Sequence, residues 1–278
     1  MKPIIKNLLF LVLGTSLFFT SCSKDDSADQ ETDETTIEIT DLTAEAAETD
    51  EAADGAFNIV ETLYVETEEE TRTSENSLFS DCVTITLSSE NGITFVTLDF
   101  GLGCELRNGD VVSGIVDITY GPLQNDTRTI NYTFDNFTFN EKGIAGGGTI
   151  FRERSNLAGN PQSTVNKDIV VSFPNWVEAT VTVDKEREWI EGVGTGTWED
   201  NVFLITGNRS VVFDNGFTQN SEVTNALRRE ATCRYFVSGE VDITRNNGNG
   251  VLDYGDGTCD NVATLTVNGE TITIILRR

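Results

Sequence analysis

The 278-residue chain has no histidine, only four prolines and one methionine. Without histidine neither a Ser-His-Asp nor a Cys-His arrangement can form, and the commonest general base and metal ligand is missing, so most hydrolase chemistries fall away. Positive charge is scarce too. Only 19 Lys and Arg stand against 46 Asp and Glu, a formal charge of −27. A chain so charged repels polyanions, which speaks against nucleic acid and anionic lipid headgroups as partners and leaves cations, basic proteins and neutral glycans. The apolar run from Leu8 to Phe19 is also short, well below the roughly 20 residues a membrane-spanning helix needs.

That run has the setting of a cleaved secretory signal: Lys2 and Lys6 precede it and Thr20-Ser21-Cys22 follows. Phe19-Thr20-Ser21-Cys22 resembles a lipobox, so the expected signal peptide is 1–21 and Cys22 the lipid-bearing first residue of the mature protein. Removing Lys2 and Lys6 leaves 17 basic against 46 acidic residues, a mature charge of −29. Ser23-Lys24-Asp25-Asp26 is similar to the short acidic signal of flavobacterial lipoproteins that are passed to the outer face of the outer membrane. The expectation is a lipid-anchored protein of the outer membrane, displayed at the cell surface.

Four cysteines remain: Cys82, Cys104, Cys233 and Cys259. An even number in an oxidising compartment predicts two disulfides, and the absence of any close Cys-x-x-Cys pair argues against zinc.

Residues 22–54 are mostly Asp, Glu, Thr, Ala and Ser and read as an acidic disordered tether. Ala53, Phe57, Val60 and Tyr64 then recur at helical spacing, predicting an amphipathic helix and linker over 55–76 that ends near Glu69 and docks by one apolar stripe. Gly55 and an acidic last turn weaken it. From 77 to 278 the period is two: Val177, Ala179, Val181 and Val183 alternate with Glu178, Thr180, Thr182 and Asp184. Asn-Gly pairs at 91, 108, 215, 247 and 268 mark tight turns. The fold class is therefore all-β, an antiparallel meander of about 10 to 12 strands forming a sandwich or open curved barrel. At Asp135-Asn136 the apolar phase slips, as a β-bulge or bend requires.

One hairpin is duplicated. Cys82, two strands about Asn91-Gly92 and Leu98-Asp99-Phe100-Gly101-Leu102-Gly103-Cys104 are echoed by Cys233, two strands about 246–250 and Leu252-Asp253-Tyr254-Gly255-Asp256-Gly257-Thr258-Cys259. Antiparallel pairing about each turn brings Cys82 to Cys104 and Cys233 to Cys259. A second echo, Ser113-Gly114-Ile115-Val116-Asp117-Ile118-Thr119 against Ser238-Gly239-Glu240-Val241-Asp242-Ile243-Thr244, falls at a different place in the order. Duplication is accordingly read from the cysteine hairpin alone.

Residues 252–261, with Ala263-Thr264-Leu265-Thr266-Val267-Asn268-Gly269 after them, resemble the C-terminal signature of flavobacterial outer-membrane lipoproteins that combine a lipobox with an acidic linker. The resemblance covers most of the chain beyond residue 80. It implies the location and the fold class and carries no activity.

Three constellations bear on chemistry. Asp184, Glu186, Glu188, Glu191, Glu199 and Asp200 surround Trp189 and Trp198 and could supply the paired carboxylates of glycoside hydrolysis. Asn247, Asn249, Asp253 and Asp256 approximate a calcium loop, the one cofactor suggested, although Arg245 stands where the first carboxylate ligand belongs. Trp176, Trp189 and Trp198 lie in or beside consecutive hairpins and could form a glycan-stacking strip. The expected function is non-catalytic, a β domain presented for structural roles or for binding a glycan or envelope protein partner, with no catalytic residue named. The alternative is a carbohydrate-active hydrolase.

Overall fold

The structure, a computed structural model, describes residues 31–69, 76–246 and 248–276, with helix side chains described from Glu45 to Glu68. The signal segment, Cys22, Asp25, Asp26 and Asn247 lie outside the described residues. Met1–Glu38 and Ile39–Arg278 are separate compact units, and the second holds every strand.

One sheet of fourteen strands makes up the domain: β1 (Thr84–Glu90), β2 (Ile93–Asp99), β3 (Cys104–Glu105), β4 (Val111–Tyr120), β5 (Thr127–Phe139), β6 (Lys142–Glu153), β7 (Gln162–Ser172), β8 (Glu178–Glu191), β9 (Val202–Phe213), β10 (Thr218–Glu230), β11 (Phe236–Arg245), β12 (Gly248–Asp256), β13 (Val262–Val267) and β14 (Glu270–Ile275). All pairings are antiparallel and sequential, β3 adding only a short flank to β4. β1 and β14 remain edges, so the sheet is open and curved rather than a sandwich. The strands alternate inward and outward as period two demands. In β8, Ala179, Val181, Val183, Lys185, Arg187 and Trp189 are buried while Glu178, Thr180, Thr182, Asp184 and Glu186 are exposed.

The helix α1 (Glu31–Tyr64) is continued by a π-helical turn, Val65–Glu69, and from Ala46 on it fills the concave face of the sheet. Both helix expectations need correction. The helix begins within the stretch read as disordered tether, and it does not dock by one stripe: from Ala46 to Val65 nearly every residue is buried, Thr49, Asp50, Asp54, Asn58, Glu61 and Thr62 included. The single apolar stripe was the visible half of a helix enclosed on all sides. Small residues permit the close approach. A Cβ on Gly55 would overlap the Phe139 ring, so the residue that weakens the helix as a sequence is the one that lets Phe139 pack on it. The acidic last turn is also satisfied: Glu66 accepts from Ser77 Oγ (2.6 Å) and Leu78 N (3.1 Å), and Glu68 from Arg128 (2.7 Å) and Tyr120 Oη (2.9 Å).

A crease runs across the sheet. The phase slip at Asp135-Asn136 is a register shift between Phe134 and Phe137, with Asn136 at φ 47°. Beside it Gly114 has φ 83° and abuts the Asn136 carbonyl, where a side chain would collide with backbone. The equivalent kink in β11 is Gly239, φ 114°, against Ala226 and Leu227. These glycines explain the second sequence echo. Leu98 pairs with Val116 and Asp99 with Ile115, just as Leu252 pairs with Val241 and Asp253 with Glu240. In both copies the Asp carboxylate accepts from the Gly two residues on, at 2.8 Å. The β2–β4 pair thus resembles the β12–β11 pair, a match separate from the cysteine hairpins, which set β1 against β11. Two disulfides, Cys82–Cys104 and Cys233–Cys259, staple the mouths of the β1–β2 and β11–β12 hairpins.

Candidate functional site

Inside the sheet, acids of the helix meet bases of the strands. Glu61 (4 % exposed side chain) accepts from Ser163 Oγ (2.6 Å) and Arg152 (3.1 Å), and its other oxygen lies 3.0 Å from Arg187 Nε, an ion pair out of line for a hydrogen bond. Asp50 sits 3.1 Å from both Lys185 and Arg209. Burial alone would push its carboxyl up, but Arg209 and Lys185 outweigh that and hold it below the usual carboxylate range. Glu48 reaches Lys142 at 3.4 Å, and Arg234, from the β10–β11 loop, joins Glu51 of the helix (2.8 Å) to Asp110 before β4 (3.5 Å). That last bridge ties the end of the sheet to its beginning without strand pairing.

Lys167 differs from these. Its Nζ donates to the Ala53 carbonyl at 2.7 Å and lies 5.5 Å from the Phe57 ring centroid. Burial disfavours the ammonium and lowers its pKa to about 7. Aromatic faces accommodate cations elsewhere too, with the Arg187 guanidinium 3.7 Å from the Phe203 centroid.

This interior row escaped the sequence reading, although a signal exists. In Val165-x-Lys167-x-Ile169-x-Val171 and Val181-x-Val183-x-Lys185-x-Arg187-x-Trp189 a cation stands in phase with the apolar, inward set. Cations at core positions announce buried acidic partners.

The carboxylates proposed for hydrolysis stand in solvent or are already engaged by neighbours. Asp184 and Glu186 point outward on β8. Glu188 accepts from Asn156 and Asn160, which lower its pKa in that order, and Glu191 pairs with Arg228 at 2.9 Å. Asp200 accepts from Thr195 Oγ1. The calcium loop is corrected: Gly248–Asp256 is the extended strand β12, which spaces Asn249, Asp253 and Asp256 along its length instead of wrapping them about one point, and no three acidic side chains among the described residues gather into a metal site. Asp253 is already bound to Gly255 N, and Asp256 to Thr258 N and Oγ1.

The tryptophan strip is corrected as well. Trp189 (1 % exposed) donates to the Glu191 carbonyl and packs on Phe203, and Trp198 (6 %) is also core. Trp176 alone is out, at 91 % exposure. It occupies an unusual position. Three turns share one geometry, in which the first N–H bonds the fifth carbonyl, the fourth N–H bonds the first carbonyl, and the third residue is an Asn whose side chain accepts from the fifth N–H: 106–110, 173–177 and 213–217. The fourth residue has positive φ in each, namely Gly109 (83°), Trp176 (70°) and Gly216 (86°). Two turns use the residue that adopts this conformation without strain; the third uses Trp, at a cost of about 1–2 kcal/mol.

On the outer face a polar hollow of about 470 Å³ crosses β9, β10 and β11, lined by Asn208, Ser210, Asn220, Glu222, Asp242 and Thr244. Between helix and last strands the free space is about 10 Å³, room for one water at most. The class this geometry defines is an open antiparallel sheet coiled about its own acidic helix. No protein-family model, curated protein or solved structure matches the chain.

Proposed function

We propose that the protein is a non-catalytic envelope lipoprotein, anchored in the outer membrane through Cys22 and presenting the β domain at the cell surface for binding or structural work. One observation carries the non-catalytic reading. The concave face, where a curved sheet would otherwise receive a ligand, is occupied by α1 and its ion pairs. Recognition is thereby left to the convex face and the rims. The lipobox-like Phe19-Thr20-Ser21-Cys22, the acidic Asp25 and Asp26, and two disulfides suited to an oxidising compartment support the location.

Protease treatment of intact cells, following the β domain with an antibody, tests display. Loss of the domain while a periplasmic marker is spared is the expected result. Survival until the outer membrane is permeabilised would place the domain in the periplasm instead.

A further inference from the structure

Over the described residues the exterior is more acidic than the net charge suggests, because most of their cations are inside. Of the thirteen described Lys and Arg residues, eight are buried (Arg128, Lys142, Arg152, Lys167, Lys185, Arg187, Arg209 and Arg229) and only Arg107 is exposed. Turns of a meander alternate between the two ends of a sheet, so those joining β5 to β6, β7 to β8 and β9 to β10 share an end. Trp176 is at the middle one of these three. The exposed charges at these three turns are Glu141 at the first, Glu178 two residues after Trp176, and Asp214 at the third. Asp214 is fixed beside the hairpin by its N–H on the Glu178 carbonyl (3.0 Å), and the Glu178 carboxylate is held by Ser172 Oγ (3.1 Å). Lys142, next to Glu141, turns inward to Glu48. Arg107, in the β3–β4 turn, has its Nε on the Phe79 carbonyl.

We propose that Trp176 is a binding anchor, and that its indole face with Glu141, Glu178 and Asp214 docks a Lys- or Arg-bearing segment of a partner protein. Two independent observations point to a ligand. The side chain is 91 % exposed, and it holds a left-handed backbone position that glycine holds in two sister turns of the same chain. Neither feature serves the fold. Backbone strain combined with a large apolar side chain in water persists where something outside the fold uses it. Charge selects the partner. A cation over an indole face is attracted by the ring quadrupole, and carboxylates at the rim accept its N–H groups. A polyanion would be repelled, and a neutral sugar, though its hydroxyls can donate to carboxylates, would gain nothing from their net charge. The inference rests on the binding-module reading above, but it is testable on purified protein wherever the protein resides in the cell.

The test compares wild type, Trp176→Gly and Trp176→Tyr in 150 mM salt, using a twelve-residue peptide of alternating Lys and Gly and a neutral oligosaccharide, maltohexaose. Because Trp189 and Trp198 are buried, the solvent-exposed emission reports Trp176. The expected result in wild type is saturable quenching by the peptide and none by the sugar. Affinities across the variants, which lack the reporter ring, are read by isothermal titration calorimetry: peptide binding should weaken at least tenfold in Trp176→Gly and recover in part in Trp176→Tyr. Trp176→Gly should also raise Tm by about 2–4 °C, since glycine relieves the positive φ. A Glu178→Gln/Asp214→Asn double variant should weaken the peptide without lowering Tm. Equal peptide affinity in Trp176→Gly overturns the proposal, as does a fall in its Tm, which would make the indole structural. Quenching by maltohexaose without quenching by the peptide would assign the anchor to glycans and overturn the basic-partner inference. A failure here leaves the protease result on display untouched, and the reverse also holds.

Discussion

Single residues in the interior carry opposing demands, and the balance can be read at Gly55 and Lys167. Gly55→Ala should gain up to about 1 kcal/mol of helix propensity. It also places a methyl group into the ring of Phe139, the last residue of β5, which is itself buried. Overpacking of that kind costs about 1–3 kcal/mol, so the net effect should be destabilising, seen as a lower urea midpoint at unchanged slope. Adding Phe139→Leu should return part of the loss. Lys167 makes a pH prediction. Its folded pKa, about 7, lies below the ordinary 10.5 it regains on unfolding, so between these values the unfolded chain binds more protons. Stability should therefore rise with pH from about 7 toward 10, and the penalty is fully present below 7. Asp50, Asp54, Lys185 and Arg209 surround the ammonium, and the first two oppose its deprotonation. Urea midpoints at pH 7, 8 and 9 should climb in wild type and climb less in Lys167→Met. A midpoint that falls over this range would mean that Asp50 and Asp54 keep the lysine charged.

At the scale of elements, the helix is held by partners far away in sequence. Glu61 meets Arg152, Ser163 and Arg187, so its removal leaves two buried guanidinium groups without their carboxylate. Breaking a buried ion pair from one side costs about 3–5 kcal/mol, a large part of a typical 5–15 kcal/mol stability. Glu61→Ala should lose that amount in denaturant titration, and Glu61→Gln less, because an amide oxygen still accepts from Ser163. Equal stability of Glu61→Ala and wild type would mean that the helix is not held by this pair. The same long separation explains what could and could not be read from the chain. Strands, the slip at Asp135-Asn136 and both disulfides are local or nearly so: period two, a phase error and a hairpin mouth announce them. The helix was legible only over its apolar stripe. Its acids look like a solvated tether until their partners, more than 90 residues downstream, are placed. The Trp strip failed for a related reason. Spacing along hairpins shows that three tryptophans are close, whereas the face each takes depends on register and turn type. Trp176 was named among the candidates; the strained turn that singles it out becomes visible only beside Asn108-Gly109 and Asn215-Gly216.

At the scale of the whole β domain, the described residues sort their charge radially, with bases drawn inward to a helix of acids and acids left outside. This arrangement predicts how salt acts. Exposed ion pairs weaken as salt screens them, but pairs such as Glu61–Arg152 and Asp50–Lys185, with side chains 1–8 % exposed, are largely beyond its reach. What salt does reach is the outer surface, where carboxylates such as Glu222 and Asp242 stand directly opposite on neighbouring strands and repel. At 0.01 M ionic strength the Debye length is about 30 Å, so repulsion extends across much of the surface; at 1 M it is about 3 Å and acts between immediate neighbours only. Screening should therefore stabilise the fold, and Tm measured in sodium chloride should rise from about 10 mM to about 500 mM. Sodium chloride suits the test because sulfate and phosphate would also strengthen apolar burial. A Tm that falls with chloride would show that water and ions enter between helix and sheet. In that event the interior cations would count as surface charge, and the acidic exterior on which the basic-partner inference depends would be partly neutralised.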